Sequence, residues 1–250
     1  PGVGSTFAAI TIARVLNNLG IPHSVVEHPV NEPDLYMQLY GDQNAPKSYA
    51  FASDLIGIED TVSNMVPWED GYTSWVPVNP DGYKTKWGAS ETFKLLHAVK
   101  KPVVIWDVAS NWLDPSVQEL CHSSDAIITV LDASPGKLNR PSTRQKLQQL
   151  QAMQESGRAV SYVTNRTMPR GMRSEWLESL PQIPVCSLPD MPYEEIMVAL
   201  WKGRCAQDHP DWLEKLQTAC LPLLRTILPD ETLRSHGVKP KRFLSFLSRS

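Results

Sequence analysis

Five residues near the start of the chain, Gly2-Val3-Gly4-Ser5-Thr6, have the composition of a phosphate cradle. Glycine lacks a Cβ, so main-chain N–H groups can close around an anion. The apolar-periodic segment running on to Gly20 places a helix N-terminus behind them. The Gly-rich phosphate-loop pattern asks for a lysine directly before a magnesium-binding Ser or Thr; here Ser5 stands in the lysine's place and Thr6 in that of the hydroxyl. The turn is kept and its cation is lost. A turn of this kind follows directly on a strand, so a strand is expected upstream of Pro1. Three other polar residues close apolar runs: Glu27 after Ile21–Val26, Asp107 after Val103–Trp106, and Asn165 after Ala159–Thr164. An acid, a hydroxyl and a ring of amides together would hold a triphosphate. Taken singly, Asp107 also reads as a plain strand end and Asn165 as a turn cap.

The elements that must position these residues alternate. A helix after Thr6, a strand over 21–27 and a loop forced by Pro29 and Pro33 come first, followed by one or two helical turns from Asp34 to Tyr40. The stretch from 41 to 83 has weak periodicity. Within it, Asn79-Pro80-Asp81-Gly82 is a turn signal, predicting a hairpin-like excursion between Trp75–Val78 and Tyr83–Trp87. The aromatics of residues 68–87 suit either a layer of core or a surface for a base or a protein partner. Beyond them follow a helix over 90–98, a strand over 103–108, a helix opened by Asp114-Pro115, a strand over 126–131 and a Gln-rich helix over 142–156. A strand over 159–164, a helix over 172–180, a strand over 183–188 and a helix over 193–202 complete the alternation. The runs at 103–108 and 126–131 are apolar at successive positions, as in strands covered on both faces. This order predicts an α/β fold, a mostly parallel sheet with helices on both faces in a three-layer sandwich. The helix over 211–228 carries Pro222, which should kink or break it.

Composition sets the outer bounds. A chain of 250 residues can bury one sizeable core, and the pattern divides it into a body, 1–228, and a tail, 229–250. With 24 basic against 27 acidic residues, no global field argues for nucleic acid; Arg166, Arg170 and Arg173 are simplest as solvated loop charges. Cys121, Cys186, Cys205 and Cys220 are widely spaced, which disfavours zinc or iron–sulfur ligation and suits packing thiols in a reducing, cytoplasmic setting. No run approaches the length of a membrane span, and no secretory signal is visible. In the tail, Lys241, Arg242, Phe243, Leu244, Phe246 and Leu247 mix basic with large apolar residues. That composition suits an amphipathic helix in a membrane interface, and equally a terminal helix docked on the body.

Taken in order, these pieces resemble the MinD/ParA group of deviant-Walker P-loop ATPases, whose signature is K-G-G-x-G-K-[ST]. Gly2 to Thr6 fall on that signature with its second lysine replaced. Val25-Val26-Glu27 with Pro33-Asp34-Leu35 is similar to the family's second strand and acidic switch, Val104–Asp107 to its magnesium-reaching strand, and Ser124–Val130 to the next helix end and strand. Val163–Arg166 resembles the strand carrying an adenine-contacting asparagine, and Val185–Asp190 the segment beside the base. The likeness covers about residues 1–203 and implies P-loop architecture, ATP or ADP with Mg2+ as cofactor, and a face-to-face homodimer. It implies Gly2, Val3, Gly4, Ser5, Thr6, Asn165 and Pro189 at the nucleotide, Thr6 and Asp107 at the metal, and Glu27 as the catalytic, water-positioning acid. The tail is similar to MinD's membrane-targeting helix.

Two departures bear on chemistry. A missing phosphate lysine removes one charge-assisted contact, about 1.5–3 kcal/mol, and phosphoryl transfer depends on such charge, so turnover should fall more than binding. Glu27 in place of aspartate is one methylene longer and misplaces an attacking water. The expectation is a nucleotide switch or positioning protein with weak or absent hydrolysis, peripheral on the inner face of the membrane and serving a division, partition, secretion or pilus machinery. The alternative is a pseudo-ATPase scaffold that binds no nucleotide. An iron-protein-like electron carrier fails for want of suitably placed cysteines.

Overall fold

Helix α1 (Ser5–Asn18) is the element around which the molecule packs, because its face is apolar on more than one side. Ala8, Ile12, Val15 and Leu16 enter one core cluster, while Ala9, Ile10 and Ala13 enter another. The computed structural model describes residues 4–56, 66–82, 87–108, 112, 114–132, 134–165, 173–178, 180 and 182–239. Strand β1 (His23–Glu27) follows and is buried at every position. Short helices α2 (Asp34–Gln38), α3 (Gly41–Asn44) and α4 (Ala52–Leu55) lead to β2 (Trp68–Asp70) and β3 (Thr73–Val76). Helix α5 (Ala89–Val99) precedes β4 (Val103–Asp107), and α6 (Pro115–Ser123) precedes β5 (Ala126–Asp132). Helices α7 (Pro135–Leu138) and α8 (Pro141–Glu155) then lead to β6 (Ala159–Asn165). Helix α9 (Arg173–Glu178), β7 (Cys186–Ser187), α10 (Tyr193–Trp201), α11 (Pro210–Ile227) and α12 (Asp230–Ser235) complete the described elements.

The strands form two ladders, in the orders β2-β3-β1-β4 and β5-β6-β7. All pairs are parallel except β2 with β3. The two ladders share their faces. Val103 and Ile105 of β4, with Ile128 and Val130 of β5, pack on the cluster built from α1 and α11, whereas Val104 and Trp106 turn toward Leu95 and Val99 of α5. Ile127 and Leu131 of β5 turn the same way, toward α6 and α8. The expected α/β layering with helices on both faces is therefore present.

Two local expectations change. The hairpin placed across Asn79–Gly82 lies earlier: Trp75 pairs with Trp68 across a turn in which Gly71 takes φ +61° and the Tyr72 N–H donates to Asn17 Oδ1 at 2.6 Å. Strand β3 already has β2 on one edge and β1 on the other, so no edge is left for a third strand. The Asn79–Gly82 turn does form, with the Gly82 N–H donating to the Asn79 carbonyl at 3.0 Å, but residues 83–86 lie outside the described residues. Pro222 leaves α11 unbroken through Ile227. It sits on the exposed side, and the buried face of Leu216, Cys220, Leu223 and Leu224 offsets the roughly 3 kcal/mol an interior proline costs.

Trp68 and Trp75 are core residues and not a partner surface, with Arg14 stacked 5.2 Å from the Trp75 ring. Arg14 also pairs with Asp70 and, through Nε at 2.8 Å, with Asp208, tying the hairpin to α1 and to the short turn before α11. Among the described residues, the large exposed apolar side chains are scattered over several elements, with three of them, Tyr193, Val198 and Trp201, on α10. All four cysteines are buried thiols. At the junction of body and tail, Leu233 and Val238 pack into the α1–α11 cluster. Residues 240–250, including Lys241, Arg242, Phe243, Leu244, Phe246 and Leu247, lie outside the described residues, as do Gly2 and Val3. Among the described residues no helix is long and apolar enough to cross a membrane.

Candidate nucleotide site

The site is assembled at the C-terminal ends of β1, β4, β5 and β6, where α1 begins. Gly4 is the N-cap of α1 with φ +83°, a left-handed conformation that only glycine adopts without strain. The space where its Cβ would stand is filled by the Asn165 side-chain amide, so the end of β6 lies directly against the turn. Asn165 is in register with Asp132, which ends β5 as Asp107 ends β4. Gly4, Ser5, Thr6, Asp107 and Asp132 all line one cleft, with Thr6 and Asp107 both nearly buried. Thr6 and Asp107 thus line the same cleft. Pro189 lies beyond β7, half-buried, and is not among the cleft-lining residues.

Both carboxylate oxygens of Glu27 accept main-chain hydrogen bonds. The residue is in register with Asp107 across β1 and β4, yet its two carboxylate oxygens face the other way along the sheet. Oε1 accepts the Leu35 N–H and Oε2 accepts the Val78 N–H, each at 2.9 Å. The side chain therefore clamps the start of α2 to the end of β3. Burial pushes its pKa up to about 7; the two amides oppose that rise, and the charge on Asp107 reinforces it. Its neighbour His28 is buried against the Trp106 ring, and burial lowers its pKa to about 4, so the ring is neutral at pH 7. In agreement, His28 Nδ1 accepts the Val30 N–H at 3.5 Å.

Two residues absent from the sequence reading join the group. Asn31 Nδ2 donates to the Asp107 carbonyl at 2.8 Å, beside the His28 N–H at 2.9 Å. Asn31 Oδ1 is buried, has no hydrogen-bond partner among the described residues, and belongs to a cleft-lining side chain. Lys137 of α7 donates to Asp132 Oδ2 at 2.7 Å, while the Ser134 N–H donates to Oδ1 at 2.8 Å. A signal existed for Asp132, the partner of Lys137, because 126–131, like 103–106, is an apolar run closed by aspartate. Nothing local marked Asn31.

The donor set fits a magnesium nucleotide. Mg2+ takes hard oxygen ligands, keeps several waters, and is held by one or two carboxylates together with substrate phosphates. A hydroxyl, a strand-end carboxylate and an orphan amide oxygen match that pattern. Among the described residues no group of three or more His, Cys, Asp or Glu forms a self-sufficient metal cage.

No protein-family model matches the sequence, and no curated protein matches it either. Solved structures do resemble it. MinD complexed with Mg-ADP from Pyrococcus horikoshii superposes with a TM-score of 0.62 at 13% identity, covering 96% of this chain and 95% of that one. The MinC:MinD cell division complex of Aquifex aeolicus gives 0.66 at 15% identity, over 97% and 95% of the two chains. A ParA family ATPase from Chlorobium tepidum gives 0.66 at 18%, over 87% and 92%. At such identities the likeness is one of fold, carried along nearly the whole length of both chains. The chain has the MinD/ParA-like α/β fold of the P-loop ATPases.

Proposed function

We propose that this chain is a MinD/ParA-like nucleotide switch or positioning protein that binds ATP or ADP with Mg2+ weakly and hydrolyses ATP poorly or not at all. The observation that supports the reading is that the left-handed Gly4 turn, Thr6 and Asp107 line the same cleft. In this reading the amides of Gly2 to Thr6 take the phosphates and Asn165 lies toward the base. Thr6 and Asp107 would hold the metal, and Asn31 Oδ1, without a hydrogen-bond partner among the described residues, would be available as a further oxygen acceptor beside it. When bound, Mg2+ neutralises charge on the phosphates. Lys137 is a lysine already held at this end of the sheet, and its swing from Asp132 to a phosphate would restore one charge-assisted contact in place of the one lost at Ser5. Weak hydrolysis is supported by Ser5 in the lysine position and by Glu27, whose oxygens are both committed to main-chain amides.

Calorimetry with Mg-ADP on the chain and on Ser5→Lys tests this. Heat from both supports the switch, and heat from the variant alone favours the second reading, a scaffold that has lost nucleotide. No heat from either removes the nucleotide site. The similar MinC:MinD structure is a complex with a protein partner, and we extend to this chain a protein partner and a homodimer. We also propose cytoplasmic residence with peripheral attachment to the inner face of the membrane through residues 239–250. Equal sedimentation with anionic liposomes, with and without that tail, would remove the membrane claim.

A further inference from the structure

Apart from Glu194 and Glu195, α10 is built of aromatic and aliphatic residues, yet none of its 9 positions is buried. Every other described helix of that length or longer buries at least one side chain. Tyr193, Val198 and Trp201 are 74%, 52% and 86% exposed. Elsewhere among the described residues the large exposed apolar side chains stand singly, as Met37 on α2 and Phe93 on α5 do, and isolated ones are ordinary on a protein surface. On α10 they form a patch. The helix holds that patch in a fixed orientation. Beyond its last turn, the Gly203 N–H donates to the Leu200 carbonyl and the Arg204 N–H to the Ala199 carbonyl, each at 3.0 Å, with Gly203 at φ +64°. Near its start, Trp212 of α11 donates its indole N–H to Glu195, and Met191 packs on the α1–α11 cluster.

The outward residues lie on two neighbouring rows of the helix surface, each with a spacing of four residues. One row is Tyr193, Met197 and Trp201; the other is Glu194, Val198 and the C-cap Lys202. Met197 is half-buried and the rest are exposed. The second row reads acid, apolar, base, so turned end for end it is its own complement. We infer that α10 is a docking surface for a second copy of this chain, the two helices lying antiparallel across a two-fold axis near Val198. Such an axis sets residues equally spaced on either side of it opposite each other, so Glu194 of each copy faces Lys202 of the other. The two charge pairs fall about 6 Å to either side of the axis at a rise of 1.5 Å per residue. Tyr193 and Trp201 meet across the same axis and supply rigid aromatic anchors inside that charged rim. An unlike partner must bring the same three residue types in the reverse order at the same spacing; a second copy already has them. No residue of α10 lines the cleft, so this contact is separate from the nucleotide reading and from any homodimer closed across the cleft. The helix is only about 14 Å long, so the interface is small and the association weak and reversible.

Sedimentation velocity of the full-length chain without nucleotide, from micromolar to millimolar concentration, tests it. A dimer should grow in with concentration. Glu194→Lys and Lys202→Glu each set like charges opposite one another twice, and each should weaken the dimer about tenfold or more. An equal mixture of the two variants should associate as well as the parent, because the acids of one then meet the bases of the other. Trp201→Ala should also weaken the dimer about tenfold or more and leave thermal melting unchanged, since the ring is exposed. A chain that stays monomeric up to millimolar concentration would overturn the inference, and so would a dimer that forms only with Mg-ADP or is indifferent to all three substitutions. Either outcome leaves the patch to residues 240–250 or to an unlike protein. Single variants that weaken the dimer without mutual rescue in the mixture would overturn the antiparallel pairing.

Discussion

Replacing Glu27 by Gln isolates the cost of burying its charge. The carboxyl is 2% exposed, and its pKa is raised from 4.5 to about 7. An acid whose folded pKa lies above its unfolded value holds a proton in the native state that the unfolded state has released. Stability therefore falls as pH rises between 4.5 and 7, and is level again above that. That rise in pKa, at about 1.36 kcal/mol for each tenfold change in proton affinity, makes the penalty about 3 kcal/mol. Gln carries no charge and pays none of it. It does leave one of the two N–H donors, Leu35 or Val78, without an acceptor, at a cost of about 1–3 kcal/mol that does not vary with pH. Whatever that offset, the stability of the variant minus that of the parent should climb by about 3 kcal/mol from pH 4.5 to pH 8. Urea denaturation at four pH values across this interval measures it. A difference constant to within about 0.5 kcal/mol would refute the claim that burial holds Glu27 protonated near neutrality.

His28→Gln should show the opposite slope. A buried histidine whose pKa is lowered from 6.5 to about 4 stabilises above 6.5 and loses that contribution as pH falls toward 4, so the variant gains on the parent by about 3 kcal/mol over that fall in the same denaturation series. The two residues oppose each other between pH 4.5 and 6.5, and the parent should be flatter than either variant. Gly4→Ala should cost about 1–2 kcal/mol for its left-handed φ, together with displacement of Asn165. Adding Asn165→Ala should relieve the collision alone, a partial recovery visible by thermal melting. Trp75→Ala should cost about 3–5 kcal/mol, because the ring fills the core and Arg14 stacks on it. A loss below about 1 kcal/mol in urea would contradict its place in the packing.

The parts of the fold that could be read in advance are those fixed by local pattern. Val103–Trp106 and Ala126–Leu131 announce buried parallel strands because both faces are apolar, and each ends on the aspartate that now stands at the site. The hairpin was not legible in this way. Strand β2 is three residues long and includes Glu69 and Asp70, and its pairing is decided by Gly71 and by Arg14, whose partner Asp208 lies far along the chain. The stronger local turn signal at Asn79–Gly82 sits where β3 has no free edge. Of the cleft-lining residues, Thr6 and Asp107 were singled out by residue type and spacing. The role of Glu27 was not, because its clamp depends on the Val78 amide, 51 residues away. Asn31 and Lys137 were hidden for the same reason: their partners, Asp107 and Asp132, reach them only through strand order and loop closure.

The central claim is that Gly4, Thr6 and Asp107 form one magnesium-nucleotide site. Paramagnetic broadening of backbone amide signals by Mn2+-ADP on the full-length chain tests it most directly, with Ca2+-ADP as the diamagnetic control. Broadening should centre on Gly4 to Thr6 and Asp107, extend to Asn31 and Asp132 and spare α10. Broadening scattered over surface carboxylates, or none at nucleotide concentrations in the millimolar range, would contradict it.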